Sequence, residues 1–117
     1  MAIERFEQLT VWQKSHTVVL EVYRLTAMLP PSEKFGLMSQ MRRAAVSVPA
    51  NIAEGFKRQG IKDKVRFYNI SQASLEELRY YFILCHDLNF FSIEPQFIST
   101  VDEIGKMLHV LMRNLQK

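Results

Sequence analysis

Apolar residues recur every three or four positions along four long stretches of this chain, and nowhere do they alternate strictly with polar ones as in a half-buried strand. The spacing predicts four helices separated by short breaker clusters. The first is expected to start at Thr10, with Thr10 and Gln13 forming a Thr-x-x-Gln capping box. It should end before Pro30-Pro31 and carry Val11, Val18, Val22, Leu25 and Leu29 on one stripe. The second should begin after Ser32 and run to about Arg58, stopped by Gly60, with Met38, Met41, Ala45, Val48, Ile52 and Phe56 on one face. The third spans about Lys62 to Leu88. The fourth follows Ser92 and sustains a seam of Phe97, Val101, Ile104, Leu108, Leu111 and Leu115. Helices of roughly 20 to 27 residues reach about 30 to 40 Å, a length suited to an all-α, antiparallel up-and-down four-helix bundle. One domain covering residues 1–117 is expected.

Two places break the simple pattern. Pro49 sits inside the second segment, where a proline removes one backbone hydrogen bond and costs roughly 3 kcal/mol, so the reading is a proline-kinked second helix whose cost the assembly offsets. Around it Ala44, Ala45, Ser47, Ala50 and Ala53 permit close helix contact, and Ser47 or Asn51 is expected to help satisfy the carbonyl that Pro49 frees on Ala45. The simplest role of the kink is to follow the bundle; a functional one is to aim Asn51 and Glu54 at a partner or another subunit. The other break is Tyr80 to Cys85, apolar or aromatic around the whole helix. Leu78, Phe82 and Cys85 can fill the core, which leaves Tyr80, Ile83 and Leu84, with Phe90 and Phe91 close behind, as a candidate oligomer interface.

Charge changes the picture further. The net charge is +3, yet between Gln40 and Arg66 seven basic residues face two acidic ones. Arg42, Arg43, Lys57, Arg58, Lys62, Lys64 and Arg66 are therefore candidate nucleic-acid contacts, the alternative being solvated helix ends. Arg42 and Arg43 lie about 100° apart around the helix and cannot face the same way. Arg43 and Glu54 nearly share an azimuth but stand ~16 Å apart along the axis, so an ion pair between them within one helix is excluded and one with another helix or subunit is not. A guanidinium suits carboxylate and phosphate alike.

Catalysis finds little support. His16, His86 and His109 fall on three different helices without metal-ligand spacing, and Cys85 and His86 diverge as helical neighbours. Glu76-Glu77 and Asp102-Glu103 read as solvated faces, and there is no glycine-rich phosphate loop or nucleophile elbow. No enzyme, metal site or cofactor is expected. No apolar stretch approaches the ~20 residues of a membrane span, no secretory signal is recognisable, and a single cysteine fits a reducing compartment, so the expectation is a cytoplasmic protein.

One ordered set of residues is specific. Leu9, Val11-Trp12 and Tyr23-Arg24-Leu25-Thr26 are followed by Glu33-Lys34-Phe35-Gly36-Leu37. Then comes the unbroken run Gln40-Met41-Arg42-Arg43-Ala44-Ala45-Val46-Ser47-Val48-Pro49-Ala50-Asn51-Ile52-Ala53-Glu54-Gly55, and after it Ser74-Leu75-Glu76-Glu77-Leu78. Over nearly the whole chain this resembles the bacterial four-helix bundle family encoded by intervening sequences of 23S rRNA genes, related to the accessory variability determinant of diversity-generating retroelements. Pro49, Asn51, Glu54 and Gly55 belong to its motif. Ala73-Ser74 stands where many relatives have Gly-Ser. The resemblance implies a ring-like homopentamer with a basic surface. The expected function is a non-enzymatic homo-oligomer whose basic surface binds RNA or DNA, the alternative being a structural adaptor that recruits a protein such as a reverse transcriptase.

Overall fold

A computed structural model describes residues 2–117 and contains four α-helices among them. They are α1 (Thr10–Thr26), α2 (Leu37–Lys57), α3 (Ile61–Asp87) and α4 (Pro95–Leu115), with short 3-10 turns at Phe6–Gln8 and Pro31–Glu33. Each helix runs antiparallel to its chain neighbour. α1 packs on α2 and α4, and α3 packs on the same two, so α1 and α3 face each other across the diagonal of an up-and-down bundle measuring 44 × 26 × 21 Å. The seams meet in one core where Val22, Met41, Ile52, Leu78, Val101, Ile104 and Leu108 are fully buried.

The helix starts differ from expectation where backbone geometry overrides side-chain capping signals. Thr10 lies inside α1 rather than capping it; Leu9 holds the cap position, and Gln13 Nε2 reaches back to the carbonyl of Glu7 at 2.8 Å. α2 begins at Leu37, not after Ser32, because Pro31–Glu33 winds as a 3-10 turn and Gly36 adopts φ −103°, ψ −103°. Glu33 then supplies the acceptor for the Leu37 amide at 3.3 Å. α4 begins at Pro95, since a proline is suited to the first turn, where its missing N–H has no partner to lose.

α2 and α3 make the closest pairing in the bundle. A Cβ added at Gly55 would stand 2.7 Å from the Tyr68 ring and 3.2 Å from Phe67 Cβ, so only glycine lets α2 descend onto α3 there. Higher up, Ser71 Oγ donates to the Val48 carbonyl at 2.8 Å and Ser74 Oγ to Ser47 Oγ at 2.8 Å. Asn51 Nδ2 donates to the carbonyl and hydroxyl of Ser47 at 2.8 and 3.0 Å. Pro49 sits within this network, inside a helix that continues on both sides of it. The expectation that Ser47 or Asn51 serves Ala45 is corrected: neither reaches its carbonyl. Asn51 Nδ2 is turned to Ser47 instead, and the Ser47 hydroxyl lies against Ser74 of α3.

Candidate nucleic-acid interface

The seven basic residues do not form one patch. Arg42 and Arg43 stand near the start of α2, and the other five cluster around the turn that joins α2 to α3, about 21 Å further along the axis.

At the upper end Arg42 is committed to the fold. Its Nε donates to Thr26 Oγ1 at 2.9 Å, its terminal nitrogen lies 3.4 Å from the Tyr23 carbonyl, and its guanidinium sits 4.4 Å from the Tyr23 ring centre. It thereby meets the C-terminal end of α1, where free carbonyls and the helix dipole favour a cation. Arg43 points to solvent and is joined to none of the described carboxylates.

At the lower end Lys64 plays the matching part for α2. Its Nζ donates to the carbonyls of Phe56 at 2.7 Å and Gly55 at 3.2 Å, and burial lowers its pKa from the ordinary lysine value. Four cations remain exposed around this turn: Lys57, Arg58, Lys62 and Arg66. Phe67 organises two of them. The guanidinium carbons of Arg58 and Arg66 lie over its ring, 4.8 and 4.5 Å from the centre, within cation–π range. Glu54 meets Arg58 at 3.3 Å and Asp63 meets Arg66 at 3.7 Å, all with side chains about half exposed, so these pairs exchange readily with solvent or a ligand. Phe67 was not singled out from the sequence. Its position directly after Arg66 was the only signal, because its pairing with Arg58 arises across the helix turn.

The remaining candidates divide by burial. Tyr80 and Ile83 are 56% and 60% exposed, whereas Leu84, Phe90 and Phe91 are half-buried and pack against the core. Asn51 is turned inward onto Ser47, Glu54 is exposed, and Gly55 lies against the Tyr68 ring. Cys85 is fully buried 3.6 Å from Met41 Sδ, and burial pushes its thiol up to about 11, which keeps it from acting as a thiolate near neutral pH. His16 stacks on Trp12 at 5.2 Å. Among the described residues no group of three His, Cys, Asp or Glu side chains is placed to hold a metal, and no helix is long and apolar enough to cross a membrane.

No curated protein sequence matches the chain. A crystal structure at 1.70 Å of a protein with unknown function from the S23 ribosomal protein family of Bacteroides thetaiotaomicron is similar, with a TM-score of 0.77 and 25% identity over 88% of this chain and 98% of that one. The family profile described as 23S rRNA-intervening sequence protein matches residues 7–110. With the four-helix architecture and nearly the full length matched, the chain belongs to the family of 23S rRNA-intervening sequence proteins.

Proposed function

We propose that this chain is a homo-oligomeric, non-enzymatic protein of one bundle domain that binds RNA or DNA through the α2–α3 end. The observation that carries this reading is the set of four exposed cations, Lys57, Arg58, Lys62 and Arg66, gathered on one turn with two guanidiniums laid on Phe67. Such a surface supplies phosphate contacts, and an aromatic ring flanked by guanidiniums offers stacking to unpaired bases. Arg42 and Lys64 are excluded from the contact set because their donors already serve helix ends. Arg43 belongs to a separate surface.

The test is anisotropy with labelled structured RNA and duplex DNA across a salt series. About three to four phosphate contacts give a loss of affinity on the order of 50- to 100-fold between about 50 and about 200 mM salt. A flat salt response, or unchanged binding by a Lys57→Ala/Lys62→Ala variant, would refute the reading.

A second reading, the protein adaptor, is favoured by Phe35. This ring stands 89% exposed in the α1–α2 connection, an orientation that serves no core. A protein partner retained on the immobilised chain after nuclease treatment, and lost with Phe35→Ala, supports the adaptor; a partner lost with nuclease supports nucleic acid.

A further inference from the structure

Two charge pairs on the outside of the bundle repeat with the same spacing and opposite sense. On α2, Arg43 and Glu54 are eleven residues apart; on α3, Arg66 and Glu77 are also eleven apart. Eleven residues close three turns to within about 20° and span about 16 Å, so each pair forms one stripe on its helix. All four residues are exposed.

The register of α2 against α3 places the stripes level. The Ser71–Val48 and Ser74–Ser47 hydrogen bonds set which residues of the two helices share a height. Carried along both helices, that register puts Arg43 level with Glu77 and Glu54 level with Arg66. Because the helices are antiparallel, α2 presents positive above negative and α3 presents negative above positive. Between the charged rows the outer surface is apolar or small, with Val46 and Ala50 on α2 and Ile70 and Ala73 on α3, Val46 and Ile70 being 41% and 39% exposed.

Arg43 has no ion-pair partner among the described residues, and Glu77 accepts only the hydrogen bond of the Tyr81 hydroxyl, at 2.6 Å, so its charge is not compensated. Glu54 and Arg66 hold local partners at 3.3 and 3.7 Å from half-exposed positions.

The geometry points to a second copy of this chain as the occupant: the outer face of α2 docks on the outer face of α3 of a neighbour whose bundle points the same way. Arg43 then meets Glu77 of the neighbour and Glu54 meets its Arg66, with the Val46–Ala50 and Ile70–Ala73 surfaces closing between them. An inverted neighbour is rejected, because it sets Arg43 against Arg66 and Glu54 against Glu77, and like charges across an interface are strongly unfavourable. Three of the four cations at the α2–α3 turn lie outside the charge pairs, so the basic ends of all copies collect along one rim.

The inference rests on the homo-oligomer reading and is tested by a charge swap that leaves that basic turn untouched. Mass and dissociation constant are measured by light scattering and sedimentation, with circular dichroism confirming the fold, for the wild type, Arg43→Glu, Glu77→Arg and the double variant. The expected result is an oligomeric wild type, dissociation constants raised about tenfold or more in each single variant, and native mass recovered in the double variant. An oligomeric wild type whose single variants keep full affinity, or whose double variant fails to recover, overturns this interface while leaving oligomerisation standing. Recovery of Arg43→Glu by Glu54→Arg instead of Glu77→Arg overturns it in favour of an antiparallel α2–α2 contact. A monomeric wild type overturns both the interface and the oligomer.

Discussion

Arg42 Nε donates to Thr26 Oγ1 at 2.9 Å, and the Thr26 hydroxyl in turn donates to the Val22 carbonyl at 2.7 Å. One of two adjacent arginines is thus a clasp between α1 and α2, while the other faces solvent. Arg42→Ala removes this clasp, the contact with the Tyr23 carbonyl and the stacking on the Tyr23 ring. It is expected to cost about 2 kcal/mol and to lower the melting temperature by about 5 to 10 °C. Thermal denaturation reads the loss, and nucleic-acid affinity at a temperature where the variant is folded should equal that of the wild type.

Gly55→Ala sets two effects against each other. Alanine gains about 1 kcal/mol of helix propensity, but its methyl meets a Tyr68 ring that is only 3% exposed and has no room to withdraw. Overpacking of this kind costs about 1 to 3 kcal/mol, so the variant should be less stable than the wild type by urea denaturation. Equal or greater stability would mean that α2 and α3 separate more easily than their contacts imply.

The lysines of the α2–α3 turn should separate by role. Lys64→Ala leaves the carbonyls of Gly55 and Phe56 without their donor and should cost about 1 kcal/mol while changing affinity little. Lys57→Ala and Lys62→Ala should leave the melting temperature within about 2 °C and weaken binding, each lowering the salt slope by about one phosphate contact. Parallel melting and binding curves on the three variants check the division.

Alkaline pH should weaken the fold through Cys85. Its buried thiol is raised from an ordinary 9.0 to about 11, so the native state favours the protonated form more than the unfolded chain does. Stability is full below pH ~9 and is lost as the pH rises through about 11, by on the order of 2 to 3 kcal/mol. Tyr81, held at about 12 by its hydrogen bond to Glu77, adds a loss in the same direction at higher pH. Denaturation curves between pH ~8 and ~11 should show the decline, and Cys85→Ala should reduce its slope, the Tyr81 phenol and the Tyr68 phenol, raised by burial, accounting for what remains above pH ~10.

The helices were legible where periodicity is strong. α3 was expected from about Lys62 to Leu88 and spans Ile61–Asp87, and the α4 seam of Val101, Ile104 and Leu108 is fully buried. The start of α2 was missed because Ser32 is a good capping residue in isolation, whereas Pro31 and Gly36 set backbone angles that postpone the helix. The division among the basic residues was not readable at all. Arg42 is defined by Tyr23 and Thr26 on another helix, Lys64 by two carbonyls beyond a turn, and Phe67 by a guanidinium nine positions away. Side-chain partners across helices leave no periodic trace, while burial does.

The hydrogen bond from Ser71 to Val48 bears on the order in which the molecule assembles. A segment interrupted by a proline nucleates poorly as an isolated helix, and where α2 meets α3 most closely it carries the small residues Ser47 and Gly55. Its neighbour α3 supplies hydroxyls beside the proline and the aromatic floor beneath Gly55. α2 and α3 are therefore expected to form together, as one hairpin closed by a turn of three residues, with α1 and α4 condensing onto it. With its proline leaning on α3, the central motif of the chain is expected to take its final shape only after the residues that follow it have been synthesised.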